Sequence, residues 1–362
     1  MINDAHIWEQ LVSKQQMRWS LKAQTHTLLL QVWHDVLNDI SFNCHAVKQA
    51  PSLLLPSWSG LLDQKIFLRD HLPNYRVIAV DGSQIYPDRH EGLECALIHV
   101  GGIELVYGQS STARVFNEPH VIAGGQDVSV ETIDSLRQEY ELKKSLDCVL
   151  AHTTKDSVIL FDGSLIFWHL AEKPTAFRDE YLTRYAAVLA RLYEQRIAHA
   201  GYVSLPHNKD LVNILRVYAS ARYPELADAC ALWLDRELMA DFLAPGQRTI
   251  VFQSNASLLE FYESYARPYF FYVHTGHEIG RVEVPQWIAQ DPQALALIEH
   301  VVMDQCRKGE GYPVALAEAH QQAVVTYADR ARFCRMVQRL AIGRGLAIAS
   351  SIKLAKKRRL SV

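Results

Sequence analysis

The stretch VILFDGSLIF at 158–167 decides the fold. Val158, Ile159, Leu160 and Phe161 run on without a polar break, the pattern of a strand buried on both faces. The run then stops abruptly at Asp162, Gly163 and Ser164. An aspartate at the end of a buried strand is costly unless it is paired, hydrogen-bonded or bound to a cation. Glycine after it lets the chain turn sharply and lets another group come close, and serine hydrogen-bonds within such turns. The same device stands earlier in the chain, in VIAVDGSQIYP at 77–87, where Asp81, Gly82 and Ser83 close a second apolar run.

Outward from these two strands the chain alternates helix and sheet signals. Ile7, Leu11, Trp19, Leu28, Val32 and Leu37 recur at roughly helical spacing without proline, which predicts a helix over 5–40. Pro51, Pro56 and Pro73 punctuate an irregular stretch over 49–76. YRVIAVDG, LECALIHVGGIELVYG and ARVFNEPHVI read as an antiparallel meander, with Gly101 and Gly102 at one turn. A helix is predicted over 129–151, then the central strand, a helix over 178–200 and a strand at AGYVSLP. Helical and mixed segments fill 208–243, PYFFYVHTGHEIGRVEVP reads as a hairpin turning near Gly276, and helices are predicted over 291–307 and 312–340. This order predicts an α/β protein: a mixed β-sheet core flanked by helices, preceded by an N-terminal helical extension.

With 362 residues, 49% of them hydrophobic, the chain is long enough to bury a sizeable core. A formal net charge of −3 gives no global attraction to nucleic acid, so any such binding needs a local basic surface. Cys44, Cys95, Cys148, Cys230, Cys306 and Cys334 are scattered and form no CxxC pair, which argues against a disulfide framework and a cysteine-ligated zinc, and suits a reducing compartment. The opening MINDAHIWEQ has neither the basic nor the apolar region of a secretory signal, and no run approaches the 18 or so apolar residues of a membrane span. The expectation is a soluble, cytoplasmic protein with no membrane association.

Strands of one sheet bring their ends together, so Asp81 and Asp162 are candidates for a shared site. Two close carboxylates repel, and a divalent cation resolves the repulsion; hard ions such as Mg²⁺ and Mn²⁺ favour oxygen donors of this kind. The plain alternative is an Asx turn that merely ends a strand. A third carboxylate stands in ETIDSLRQEYELKKSL, where Arg137 and Glu141 are i,i+4 neighbours on one shoulder of a helix whose apolar stripe is Ile133, Leu136 and Tyr140. Glu141 can lean toward the sheet while Arg137 orients it or meets a phosphate; a simple surface ion pair is the alternative. In GYPVALAEAHQQAVVTYADR, Leu316, His320 and Val324 share a face, so His320 is either a satisfied core histidine or a further ligand.

These blocks together resemble the NurA nuclease family. The resemblance runs from about 75 to 335 and rests on VIAVDGSQIYP, the helix with Arg137 and Glu141, VILFDGSL, AGYVSLPHNKDLVNILR, APGQRTIVFQS, YFFYVHTGHEIGRVEVPQWI and GYPVALAEAHQQAV, in that order. It implies an RNase H-like core and divides the chain into an extension at 1–70, a nuclease domain at 71–345 and a basic tail at 346–362, KLAKKRRLSV being the densest basic run. It implies a Mn²⁺-dependent DNA nuclease, with Mg²⁺ as the other ion and two ions in the site. Its activities would be 5′-to-3′ exonuclease and single-strand endonuclease, in DNA end processing, repair or anti-phage defence. It implies a homodimer working with a HerA-type hexameric ATPase. By the same resemblance Asp81, Glu141, Asp162 and His320 are the catalytic metal ligands. Two-metal hydrolysis places such ions about 3.5–4 Å apart. Arg137, Lys209 and Tyr312 are candidates for substrate contact. The basic residue many members carry after the strand matched by GYVS is replaced here by Ser204 and Leu205, and Lys209 is the nearest lysine. Tyr312, Tyr86 and Trp168 are aromatics that can stack on bases, although Trp168 is expected to pack in the core. The other readings of the same residues are a non-catalytic adaptor for an ATPase and a metal phosphoesterase acting on RNA.

Overall fold

The computed structural model describes residues 3–43, 53–68, 74–88, 95–123, 128–152 and 156–345. By internal contacts the chain forms two compact units. The first gathers Met1–His71, Gly163–Ile166 and Gly201–Gly311; the second gathers Leu72–Asp162, Phe167–Ala200 and Tyr312–Val362. The boundaries expected at 70 and 345 follow the chain, whereas this division follows contacts. The segment expected to be a basic tail, 346–362, lies outside the described residues.

The second unit is built on β1 (Tyr75–Ile85), β2 (Cys95–Tyr107), β3 (Thr112–Ala123) and β4 (Ser157–Asp162), in the order β3-β2-β1-β4, and on the first three residues, 198–200, of β5 (Ala198–Val203), the strand after β4 in that order. Three strands form the expected antiparallel meander, and β4 joins β1 in parallel. β4 reaches that position through a crossover helix, α2 (Val130–Ala151), as parallel pairing requires. A meander, a crossover helix and a parallel strand beside the first strand make the mixed sheet that the sequence predicted, with the RNase H-like order that the family resemblance implied. Val158, Ile159 and Leu160 of β4 are fully buried, and so are Val77, Ile78 and Ala79 of β1. Helix α3 (Thr175–Glu194) follows β4, and α8 (Val314–Ala323) and α9 (Tyr327–Gly343) end the described chain.

Two expectations fail here. Gly101 and Gly102 do not turn the chain; they lie in the middle of β2, opposite Asp81 and Val80. A side chain at Gly101 would collide with the backbone of Gln322 and Ala323, and one at Gly102 with the Phe116 ring. The glycines mark close approach, not a bend. The single helix expected over 312–340 is two helices, broken at Val324–Thr326. Thr326 caps α9, accepting from the Asp329 amide while Asp329 reaches back to the Thr326 amide.

The first unit carries α1 (Asp4–Asn38) and helices α4 (Asp210–Arg222), α5 (Pro224–Cys230), α6 (Asp235–Phe242) and α7 (Pro292–Lys308). Its hairpin pairs β6 (Pro268–His274) with β7 (Ile279–Pro285), as expected. Only the later part of α1 is buried: Leu29, Val32, Trp33 and Val36 share a core with Leu211, Leu215, Leu238 and Met239. Ile7, Trp8, Leu11 and Trp19 are exposed. Arg281, buried, donates to Glu283 at 2.8 Å and Asp210 at 3.0 Å, so its charge is compensated on both sides. Ser164 and the Leu165 amide both donate to Glu283, which ties down the turn after β4. Among the described residues Cys95, Cys148, Cys230, Cys306 and Cys334 form no disulfide. No described helix is long and apolar enough to cross a membrane.

Candidate active site

The parallel register of β1 and β4 sets the site. Ile78 lies opposite Ile159 and Ala79 opposite Leu160. The same register, carried two residues further, puts Asp81 level with Asp162. Alternation then assigns each neighbour to a face. Asp81, Ser83 and Ile85 face α8 and α9: Ser83 donates to the Ala323 carbonyl, and Ile85 packs with Cys334. Gly82 faces α2, where an added Cβ would stand 2.6 Å from Glu141 Oε1 and 2.8 Å from Arg137 Cγ. Asp81 and Glu141 therefore approach from opposite faces of the sheet, and the glycine between them leaves room for the α2 side chains.

Each acid has a protein partner. Asp81 Oδ1 accepts its neighbour's amide, from Gly82, at 2.7 Å, and Oδ2 lies 2.9 Å from His320 Nδ1. His320 is exposed, not the core residue of the bland reading, and its helix ends at Ala323, so Val324 does not continue the face. Glu141 is buried; Arg137 Nη1 donates to it at 2.9 Å and to the Gly82 carbonyl at 3.0 Å. Burial pushes the Glu141 carboxyl up to about 8 against the pull of Arg137, and the nearby charges of Asp81 and Asp162 add to the rise. Asp162 ends β4 in the open, yet partial burial of its carboxyl raises it; a hydrogen bond from Tyr312 lowers it, Asp81 raises it and His320 lowers it. These mutual effects place Asp81, Glu141, Asp162, His320, Arg137 and Tyr312 around one centre within the second unit.

Lys209 belongs to the first unit. It precedes α4, and its Nζ donates to the Ala231 carbonyl at 2.6 Å. Tyr312 meets the centre through its hydroxyl on Asp162, a contact that its reading as a stacking ring did not foresee. Tyr86 spends its hydroxyl on Asp134 at 2.5 Å, and Trp168 is exposed rather than packed in the core. Sequence reasoning also missed His99, which with Ser83 bonds the Ala323 carbonyl and pins the end of α8. A histidine within a strand carries no signal of that role.

The donor set is three carboxylates and an imidazole, which suits a hard divalent cation. The space at Gly82 and a buried, unpartnered Arg137 Nε point the same way, to a centre arranged to take further groups. Among the described residues, however, no three His, Cys, Asp or Glu side chains are gathered closely enough to hold an ion as they stand. Glu141 is turned onto Arg137 and Asp81 onto His320. The residues fit the group chemically, with their charges met by the protein's own cations.

The NurA domain matches residues 75–325, a span that takes in all six residues of this centre. The chain belongs to the NurA family. The NurA nuclease from Sulfolobus solfataricus has the same fold, with a TM-score of 0.53 over 95% of this chain and 98% of that one, at 14% identity. A NurA structure with manganese aligns at 12% identity over 88% and 98% of the two chains, with a TM-score of 0.39. A NurA bound to dAMP and manganese aligns at 13% identity over 72% and 87%, with a TM-score of 0.36. No curated protein matches the sequence. Family membership reproduces the resemblance drawn from the ordered sequence blocks, and sequence and fold agree on NurA at an identity too low for any single block to establish it.

Proposed function

We propose that this protein is a metal-dependent DNA nuclease whose centre is Asp81, Glu141, Asp162 and His320. The observation that carries the reading is the register of β1 and β4, which sets Asp81, inside β1 and not at its end as the sequence suggested, level with Asp162 at the end of β4, with Glu141 and His320 brought to them from opposite faces. Family membership supports the choice of reaction and of ion, since other NurA structures are described with manganese and with dAMP.

The four residues would hold the cation, which when bound supplies Lewis acidity at the phosphodiester. The chain's own part is to position and to move protons. Asp81 is fixed by the Gly82 amide and by His320. That contact uses Nδ1 and leaves His320 Nε2 on an exposed ring, able to pass a proton to or from solvent. Tyr312 orients Asp162 by its hydrogen bond. The same proposal includes 5′-to-3′ and single-strand cleavage, two Mn²⁺ ions with Mg²⁺ as substitute, a homodimer and a HerA-type ATPase that feeds it DNA. It also includes a cytoplasmic role in repair or anti-phage defence.

The test is cleavage of 5′- and 3′-labelled single-stranded DNA, duplex DNA and RNA with Mn²⁺, Mg²⁺ or EDTA, comparing wild type with Asp162→Ala. Mn²⁺-dependent loss of labelled DNA is expected, reduced by at least a thousandfold in the variant. Cleavage of RNA alone would replace DNA as the substrate. Silence on every substrate, with a HerA-type ATPase added, would leave the adaptor reading.

A further inference from the structure

The described centre holds its acids in an arrangement that does not gather an ion, and Arg137 is the reason for Glu141. Arg137 Nη1 bridges the Glu141 carboxylate and the Gly82 carbonyl, one residue from Asp81. Gln138 Nε2 takes the other Glu141 oxygen at 3.3 Å, so both oxygens are engaged. A guanidinium offers five N–H donors in a rigid fork. Here only Nη1 has assigned partners, and Nε is buried with none. A buried donor without an acceptor calls for an explanation. It is not one that Glu141 can satisfy, since Nη1 already holds that carboxylate. The fork matches a phosphate, and arginine binds phosphate through two donors at once. Gly82 is what allows the bridge: any side chain there would occupy the space of Arg137 Cγ and Glu141 Oε1.

Building on the reading of this centre as a cation site, we propose that Arg137 is an exchangeable counter-charge. It holds Glu141 while no ion is bound and yields it to the ion. The released guanidinium then turns its Nε–Nη2 edge, whose two N–H bonds run side by side, to a phosphate of the strand to be cut. Binding of the ion and readiness for substrate are thereby coupled through one side chain. The competition is electrostatic: a guanidinium and a metal ion draw on the same carboxylate, so removing the first strengthens the second. A residue that merely propped Glu141 in place would behave in the opposite way, because its loss would slacken the ligand and weaken the ion.

The experiment is calorimetric titration of Mn²⁺ into the metal-free protein at pH 8 for wild type, Arg137→Met, Arg137→Gln and Arg137→Lys, with KM and kcat on single-stranded DNA measured beside it. Arg137→Met should bind Mn²⁺ about tenfold more tightly, a change equal to that expected from removing one partly screened competing charge. Its KM for DNA should rise about tenfold. Arg137→Lys should return both values part-way to wild type. Should the methionine variant not fold, Arg137→Gln, neutral but able to donate to the Gly82 carbonyl, decides the matter with the same expected directions. Mn²⁺ affinity that is unchanged or weaker in the neutral variants overturns the exchange, and an unchanged KM overturns the phosphate contact. The titration needs no turnover. A wild type that binds Mn²⁺ yet cleaves nothing would end the nuclease reading and leave the exchange to be decided by the titration, with DNA affinity of the wild type and Arg137→Met, measured by fluorescence anisotropy, in place of KM.

Discussion

A Cβ on Gly82 would meet Glu141 Oε1 at 2.6 Å and Arg137 Cγ at 2.8 Å, whereas one on Gly163 would meet nothing within 4 Å. The two Asp-Gly-Ser sequences are alike in letters and different in physics. Gly163 has φ +106° and is needed for its backbone. Gly82 lies in a paired strand and is needed for the space it leaves. Gly82→Ala should therefore act on the site more than on the fold. The end of Glu141 can swing away, but Arg137 Cγ is near its own backbone and cannot go far. We expect cleavage to drop at least tenfold and stability to fall by about 1–3 kcal/mol, the usual range for overpacking. Paired cleavage and urea-unfolding measurements check this; a variant of full activity would show that the Arg137–Glu141 pair does not need its place against β1. The two aspartates were legible in the sequence because each interrupts an apolar run. The different reasons for the glycines were not, since one depends on a backbone angle and the other on a helix remote in sequence.

The elements around the centre show the same limit. Strand and helix types follow from pattern: β4 is a continuous apolar run because it is buried on both faces, and α2 keeps helical period. Gly101 and Gly102 misled because a glycine pair signals a turn locally, while their cause is tertiary: α8 lies against β2 with no room for a side chain at Gly101. The break between α8 and α9 left no proline or glycine in the sequence, only the Thr326–Asp329 cap. The placement of α8 matters because it carries His320 to Asp81 while Ser83 and His99 both hold its last carbonyl, that of Ala323. Gly101→Ala tests that placement. Its new methyl group meets backbone, which has no rotamer to escape to, so α8 must shift bodily. A loss of about 2–3 kcal/mol is expected, together with Mn²⁺ binding weakened severalfold as His320 moves off Asp81. Thermal unfolding and Mn²⁺ titration of the same preparation would show both; loss of stability with unchanged Mn²⁺ affinity would remove His320 from the ion's neighbourhood.

For the molecule as a whole, the first stretch of chain is where sequence and contacts divide it differently. By sequence, 1–70 is an extension ahead of the domain. By contacts, Met1–His71 shares a unit with Gly201–Gly311. Helix α1 reconciles the two readings, because it behaves differently along its length. Toward its start Ile7, Trp8, Leu11, Val12 and Trp19 stand exposed, while Lys22 pairs with Glu237 at 2.5 Å and Thr25, Leu29, Val32, Trp33 and Val36 are buried. Amphipathic spacing predicted a stripe along the helix; which turns of that stripe find a partner depends on α4, α5 and α6, far along the chain. Burying Leu29, Val32, Trp33 and Val36 is worth roughly 8 kcal/mol at about 2 kcal/mol each, a large part of the 5–15 kcal/mol that holds a typical domain together. Removal of residues 1–20 should leave the melting temperature within a few degrees of the full chain. Removal of 1–38 strips the core around Leu211, Leu215, Leu238 and Met239 and should give a protein that unfolds at least 15 °C lower or aggregates. Differential scanning calorimetry on the two truncations and the full chain separates the outcomes. A shorter chain that melts as high as the intact one would mean that α1 is an appendage along its whole length, and that the core beneath it closes without it.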